Sequence, residues 1–245
     1  MNSSAGYPED MEISVIVPVC NEEESLPILI PKLLEVLNNL ETPYEIIFID
    51  DGSSDGSRRV LKEMASQSPS LRMIGLKENR GLSIALIAGM GEARGRVIIT
   101  VDSDLQNDPL DIPNMLKYLD RYDMVIGWRQ KRDDPWLKKV SSKIGNFIRN
   151  WLSGENINDS ACSLRVFNRE CFKNIPKFNG MHRFFPTLMK MEGYRVIEVP
   201  ISHHPRRFGK SKYNIRNRMW RAFVDLLAVK WMKNRHIKYE IEENI

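Results

Sequence analysis

The chain lacks several features that would fix its class at once. Cysteine is scarce: Cys20, Cys162 and Cys171 are an odd number with no CxxC spacing, which argues against a disulfide framework or a zinc site and for a reducing compartment. The opening residues, MNSSAGYPED, carry no basic n-region and no apolar h-region, so no signal peptide is expected and residues 1–10 read as disordered. Apolar runs are short. Nowhere do about eighteen apolar residues follow one another, so no bilayer-spanning helix is expected. The most apolar late stretch, Met219 to Met232, is interrupted by Arg221, Asp225 and Lys230. An excess of one charge is missing as well: the net charge is only +4, which gives no reason to expect a nucleic-acid partner. There is no internal repeat and no low-complexity segment.

What remains is an ordinary globular composition. The 245 residues, 42% hydrophobic and 28% charged, suit one α/β domain with a real core. The charge is unevenly placed. Basic residues cluster from Arg129 to Lys143 and from Arg206 to Arg221, while carboxylates crowd the first hundred residues. That asymmetry assigns an anionic ligand or surface to the second half.

Short apolar, β-branched runs recur at Ile13–Val17, Glu45–Ile49, Leu71–Gly75, Val97–Val101 and Asp123–Gly127. Helical spacing separates them at Glu22–Leu40, Ser57–Ser66, Gly81–Glu92 and Asp111–Leu119. Pro27 and Pro31 make the first of these helices start late or kink. Strands this apolar, alternating with helices, predict a mostly parallel sheet covered on both faces. Beyond residue 130 the pattern predicts an amphipathic helix over Trp136–Leu152, a strand at Leu164–Phe167, a helix near Arg183–Met191 and a strand at Arg195–Val199. A basic loop, HHPRRFGKSKYN, and a final amphipathic helix follow.

In such sheets ligands sit beyond the carboxyl ends of the strands. Three polar segments fall there: PVCNEEES, DDGSSDGS and DSDLQND. Asp102 and Asp104, at i and i+2 after an apolar strand, can both reach one hard cation, with the Gln106 amide oxygen as a third ligand. A cation so held neutralises a leaving diphosphate. Asp51, after the second strand, can accept from a base N–H or a ribose hydroxyl. Glu22 can do the same, or favour a helix N-terminus. Asp55 or Ser57 suits an N-cap.

Together, VIVPVCNEEESL, IIFIDDGSSDGS and NRGLSIALIAGMGEARGRVIITVDSDLQNDP resemble the family-2 inverting glycosyltransferases of the GT-A (Rossmann-like) fold. DLQNDP, DSACSLRVF and RRFGKSKYN are similar to the branch that contains dolichol-phosphate mannose synthase and bacterial polyprenyl-phosphate glycosyltransferases. The resemblance spans about residues 11 to 230. It implies a nucleoside pocket lined by Pro18, Glu22, Asp51 and Asp102, and a Mg²⁺ or Mn²⁺ site at Asp102, Asp104 and Gln106. It implies an acceptor-phosphate site at Arg129, Lys138 and Ser142, a diphosphate loop carrying Arg206 and Lys212, and a carboxylate, Asp159, near the transferred sugar. Asp104, Asp159 and Arg129 are the expected catalytic set. Two departures stand out. Cys20 replaces a frequent aromatic residue after the first strand. Met181-His182-Arg183 occupies the region where many relatives keep a Glu-Asp base, which a phosphate nucleophile does not need.

The implied reaction is attack by a polyprenyl-phosphate (dolichyl or undecaprenyl) oxygen on the anomeric carbon of a UDP- or GDP-linked sugar, with inversion. The alternatives are a glycosyltransferase acting on a sugar hydroxyl, with Asp159 as base, and a non-catalytic nucleotide-sugar-binding protein. A nucleotidyltransferase would need a glycine-rich phosphate loop that PVCNEEES is not. The expected layout is a catalytic domain over 11–215, with a nucleotide half to about 128 and an acceptor half from about 129. Over 216–245 an amphipathic helix and tail follow. There Trp220, Phe223, Val224, Leu227 and Trp231 recur at three- and four-residue spacing among basic residues, the pattern of a helix lying on a membrane or packing on the core. The expected location is cytoplasmic, peripheral on a membrane face.

Overall fold

The computed structural model describes residues 11–130, 157–208 and 215–237, and side chains other than those of 215–221. The expected disordered start, the Trp136–Leu152 helix with Lys138 and Ser142, and Lys212 of the basic loop lie outside these residues, as does the Trp220 side chain.

Among the described residues seven strands form one sheet: β1 (Ile13–Val19), β2 (Tyr44–Asp50), β3 (Leu71–Gly75), β4 (Val97–Thr100), β5 (Met124–Trp128), β6 (Arg165–Asn168) and β7 (Val196–Pro200). Their order is β3-β2-β1-β4-β6-β5-β7. Pairing is parallel except at β6, which runs antiparallel to both β4 and β5. Every residue of β1 and β4 is buried, as strands covered on two faces require. The chain places β2 on one side of β1 and β4 on the other. The crevice between their carboxyl ends is therefore the switch point where α/β sheets bind ligands.

The helices are α1 (Leu26–Asn38), α2 (Ser57–Gln67), α3 (Leu82–Glu92), α4 (Ile112–Leu116), α5 (Arg169–Asn174), α6 (Phe185–Met191) and α7 (Ile215–Arg235). The late start expected of α1 is observed, with Pro27 in its first turn and Pro31 inside it. The expected Asp111–Leu119 helix resolves into a short α-helix between two 3₁₀ turns. Pro109 and Pro113 each fall in the first turn of their segment, where a missing N–H is tolerated, and 3₁₀ turns are frequent at helix ends. The short α5 had no signal in the sequence reading; its six residues are too few for a periodicity to register. The small face of α3 has a geometric reason. A Cβ on Gly89 would lie 2.4 Å from Ile49 and 2.6 Å from Ile16, so glycine lets the helix axis settle against β1 and β2.

The final helix does two things at once. Leu226 and Val229 are buried against the core, while Phe223, Val224, Leu227 and Trp231 are 43–64% exposed. Arg183 of the 180–183 turn pairs with Asp225 at 3.0 Å, fixing the helix against that turn. Among the described residues no helix is long and apolar enough to cross a membrane.

Candidate functional site

The three polar segments meet at the carboxyl edge of the sheet, and the first two are laced together. Asn21 N–H donates to Ser53 Oγ (2.9 Å), Ser54 N–H to Asn21 Oδ1 (2.7 Å), Glu22 N–H to Ser57 Oγ (2.7 Å) and Gly56 N–H to Glu23 Oε2 (2.6 Å). The serines of DDGSSDGS thus tie two loops together in addition to turning the chain. Ser57 does not cap its own helix; α2 has Gly56 at its N-cap, and Asp55 accepts from Ser57 N–H at 2.9 Å. Gly52 sits at φ +64°, and a Cβ there would meet the Asn79 nitrogen at 2.5 Å.

The two aspartates of the second loop play different parts. Asp50 is fully buried and ion-pairs with Arg58 at 2.6 Å, also accepting from Ser53 N–H. It is structural. Asp51, expected to face a base, accepts from the backbone N–H groups of Arg80 (2.7 Å) and Gly81 (2.8 Å) at the start of α3. Each oxygen keeps a further lone pair for a ligand donor. Cys20, in the position of the missing aromatic, accepts from Asn79 Nδ2 at 3.1 Å.

The DSDLQ turn after β4 is held by Ser103 Oγ, which donates to the Pro18 carbonyl at 2.9 Å. Leu105 takes a left-handed φ of +63°, a costly conformation for a non-glycine residue and one that clusters at functional sites. Gln106 N–H donates to Asp104 Oδ1 at 3.2 Å, and the Gln106 carbonyl accepts from His204 N–H. The basic loop is thereby joined to the turn.

Across this turn Arg206 lies between two carboxylates. It pairs with Glu22 and approaches Asp104 Oδ2 at 3.5 Å, while its Nε–H donates to the Phe208 carbonyl. Glu22 also accepts from Ser25 Oγ. Burial and the neighbouring Asp102 push the Asp104 carboxyl up to about 6, against the pull of the Gln106 N–H and Arg206. Glu22, Asp102 and Asp104 thus crowd together in a partly dry crevice with Arg206 as counter-charge. The expected nucleotide and metal residues Pro18, Glu22, Asp51, Asp102, Asp104 and Gln106 all fall at this edge. Among the described residues no group of three His, Cys, Asp or Glu side chains forms a ready cage. A hard cation that takes two carboxylates and completes its shell with diphosphate oxygens and water fits this donor set, and it would relieve the crowding that raises the Asp104 pKa.

The second half supplies a different cluster. Arg129, just beyond β5, donates from Nε to Asp159 Oδ2 (2.7 Å) and from Nη2 to Asp159 Oδ1 (2.8 Å). Arg129 and Asp159, expected to act on different groups, are one ion pair. Burial works against the Arg129 charge, but the Asp159 hydrogen bonds and charge outweigh it and raise its pKa.

Arg165 and Glu198 have roles at this edge with no assignment from the sequence, and His182, noted there for standing where many relatives keep a base, joins them. Arg165, the first residue of β6, is 3% exposed and donates to the carbonyls of Ser160 and His182. Burial lowers its pKa. A lone arginine in the apolar LRVF run was the available signal. His182 Nδ1 lies 2.6 Å from Ser83 Oγ, which also accepts from Gly180 N–H. Glu198 of β7 accepts from the 158–159 backbone, and nothing local in its sequence marks it. A small cavity of about 40 Å³ beside Asp102 is lined by Pro18, Thr100, Ser163, Arg165 and His182. A wider groove of about 620 Å³, lined by Gly52, Arg58, Lys62 and Lys77 among others, includes no residue from the ends of β1 or β4 and so lies apart from the acidic crevice.

Comparison with known proteins agrees with this geometry. The model of glycosyl transferase family 2 matches residues 14–176. A dodecaprenyl-phosphate galacturonate synthase of Rhizobium johnstonii is 36% identical over 227 residues, covering 90% of this chain and 67% of the relative. Among solved structures, glucosyl-3-phosphoglycerate synthase of Mycobacterium tuberculosis with Mn²⁺, UDP and phosphoglyceric acid superposes with a TM-score of 0.66 at 17% identity, over 94% of this chain and 80% of that one. The same enzyme with Mg²⁺ and UDP gives a TM-score of 0.68 at 15% identity, over 95% and 85%. At that identity the likeness is one of fold: α/β, of the GT-A type.

Proposed function

The chain belongs to glycosyl transferase family 2, and we propose that this glycosyltransferase moves a sugar of the hexose class, hexuronose included, from a nucleoside diphosphate to a polyprenyl phosphate with inversion. The carrying observation is the pairing of two sites at one sheet edge. An acidic crevice (Glu22, Asp102, Asp104) suits a cation and diphosphate, and a buried, charged Arg129 suits a second phosphate. The relative that acts on dodecaprenyl phosphate supports the acceptor, and the UDP complexes of the fold relatives support UDP over GDP.

Asp102 and Asp104, with Gln106, would hold Mg²⁺ or Mn²⁺, which supplies Lewis-acid stabilisation of the leaving diphosphate. Arg206 would exchange its carboxylate partners for diphosphate oxygens, and Lys212 of the same loop would add a second cation to them. Asp51 and Glu22 would bind the nucleoside near Pro18. Arg129, with Lys138 and Ser142, would hold the acceptor phosphate, already ionised and in line for attack, so the protein's contribution is positioning and charge. The nucleotide half would be 11–128 and the acceptor half 129–215. A sugar-hydroxyl acceptor would need a free base. Asp159, the candidate, has both oxygens on Arg129, which disfavours that reading.

The lipid acceptor gives the open face of α7 a use. Phe223, Leu227 and Trp231 lie four residues apart and exposed, with Lys230 and Lys233 exposed beside them, as in a helix resting at a membrane surface. The double variant Phe223→Glu, Trp231→Glu should sediment less with anionic liposomes while its melting temperature holds; unchanged sedimentation contradicts the assignment. The acceptor itself is tested by UDP release from a UDP-sugar panel with Mn²⁺. Release should require a short-chain polyprenyl phosphate and fail with the dephosphorylated alcohol or with free glycans. Equal release with a glycan acceptor would overturn the reading.

A further inference from the structure

We propose that Asp159 and Glu198 are positioning residues that hold Arg129 with one edge of its guanidinium turned to the acceptor phosphate. This rests on the acceptor reading above. Arg129 follows β5, and Glu198 lies on β7, opposite Ile126 of β5 in the parallel register. Between the two strand ends runs the 158–159 segment. Glu198 Oε1 accepts from Asp159 N–H at 2.7 Å, and Oε2 accepts from Asn158 N–H at 2.8 Å and from Asn158 Nδ2 at 3.0 Å. One carboxylate on a rigid strand thus fixes two consecutive backbone amides. That places the Asp159 side chain, itself 3% exposed, in one orientation.

Asp159 in turn takes one edge of the guanidinium fork. Oδ2 receives Nε–H and the Arg129 backbone N–H (3.3 Å), and Oδ1 receives Nη2–H. A guanidinium has five N–H donors in a rigid plane. Two are spent on Asp159, so among the described residues the Nη1 group and the second Nη2 hydrogen remain for a ligand. They form a second bidentate edge, the geometry a phosphate accepts. The Asp102 charge bears on Arg129, which puts the guanidinium within electrostatic reach of the acidic crevice. The buried carboxylate reduces the net positive charge felt by the phosphate. In return it fixes the fork's direction before the acceptor arrives and so lowers the ordering cost of binding.

Charge and orientation make opposite predictions. If Asp159 mattered only as a negative charge, Asp159→Asn would tighten acceptor binding. As a positioning residue its loss loosens it, because the asparagine amide presents an N–H to Arg129 where an oxygen is required. With saturating UDP-sugar and Mn²⁺, Asp159→Asn should raise the KM for a short-chain polyprenyl phosphate about tenfold, the usual scale for supporting residues, and leave kcat within about threefold. The isosteric Glu198→Gln, one contact further out, should raise the same KM about threefold. UDP affinity by calorimetry should be unchanged in both, and Glu198→Asp should recover part of the loss. An unchanged or lowered acceptor KM in Asp159→Asn, or a loss confined to kcat, would overturn the proposal. Absence of any transfer to polyprenyl phosphate by the wild-type chain would instead overturn the acceptor reading on which it rests.

Discussion

Two buried acidic groups sit at opposite edges of the same sheet and are treated in opposite ways. At the amino edge Glu45, 2% exposed, accepts from Ser14 Oγ (2.7 Å) and Arg94 N–H (2.8 Å) and pairs with Arg72 at 2.5 Å. Ser14 Oγ accepts in turn from Gly95 N–H. Each Glu45 oxygen is satisfied, and the one guanidinium on it, Arg72, leans outward to the exposed Glu92 at 3.8 Å. At the carboxyl edge Glu22, Asp102 and Asp104 crowd together with Arg206 between two of them, and the Asp104 carboxyl is pushed up to about 6. A balanced cluster ties strands together. An unbalanced one holds its charge in reserve for a ligand, and perturbed acidity in a cleft marks such places. The difference separates residues kept for the fold from residues kept for chemistry.

Neutralising one member of each cluster should have opposite consequences. Asp104→Asn should reduce kcat/KM about a thousandfold, through loss of charge stabilisation on the leaving diphosphate, and leave the fold intact. Near wild-type turnover at saturating Mn²⁺ would contradict the assignment. Glu45→Ala should do the reverse. It leaves Arg72 to Glu92 at 3.8 Å and takes the acceptor from Ser14 Oγ and Arg94 N–H, which should cost about 3 kcal/mol of stability in a denaturant titration, while turnover per folded molecule persists.

A smaller effect is expected at the counter-charge. Arg206→Ala removes a charge-assisted contact to the diphosphate and should weaken UDP binding roughly ten- to a hundredfold, with acceptor KM unchanged. Equal losses for donor and acceptor would mean that the two phosphate sites are not separate. The smallest effect is in pH. The folded Asp104 holds its proton to about 6 against 3.8 ordinarily, so the folded chain binds more protons than the unfolded one between those values. This group's contribution to stability is therefore greatest below pH 3.8 and is lost as pH rises to about 6. Metal-free Asp104→Asn should melt above wild type at pH 7, and the gap should narrow at pH 4.5. A constant gap would remove the electrostatic reason for a cation there.

Much of this edge was legible because its residues are contiguous. Asp102, Asp104 and Gln106 sit in one turn after one apolar run, and strand ends converge by the rules of parallel sheets. The five strands of the first half fell within two residues of their expected positions for the same reason: each is a short apolar run, and all but the edge strand β3 are buried along most of their length. The pairings across the second half were not legible. Arg129 meets Asp159 from thirty residues away, and Asp159 meets Glu198 from thirty-nine. Both contacts depend on β6 inserting antiparallel between β4 and β5, which a parallel pattern does not announce. Asp50 and Asp51 were indistinguishable as neighbours in sequence. Only alternation along β2 and its exit separates the one that pairs with Arg58 from the one that caps α3.

In the proposed reaction a phosphate oxygen of the lipid acceptor displaces the nucleoside diphosphate directly. Proton NMR of the product formed from an α-linked UDP-sugar, Mn²⁺ and a short-chain polyprenyl phosphate tests it in one spectrum. A β-linked sugar phosphate, with its anomeric proton coupled to phosphorus, is the predicted result. An α-linked product, or an anomeric carbon joined to a sugar hydroxyl with no phosphorus coupling, would contradict it.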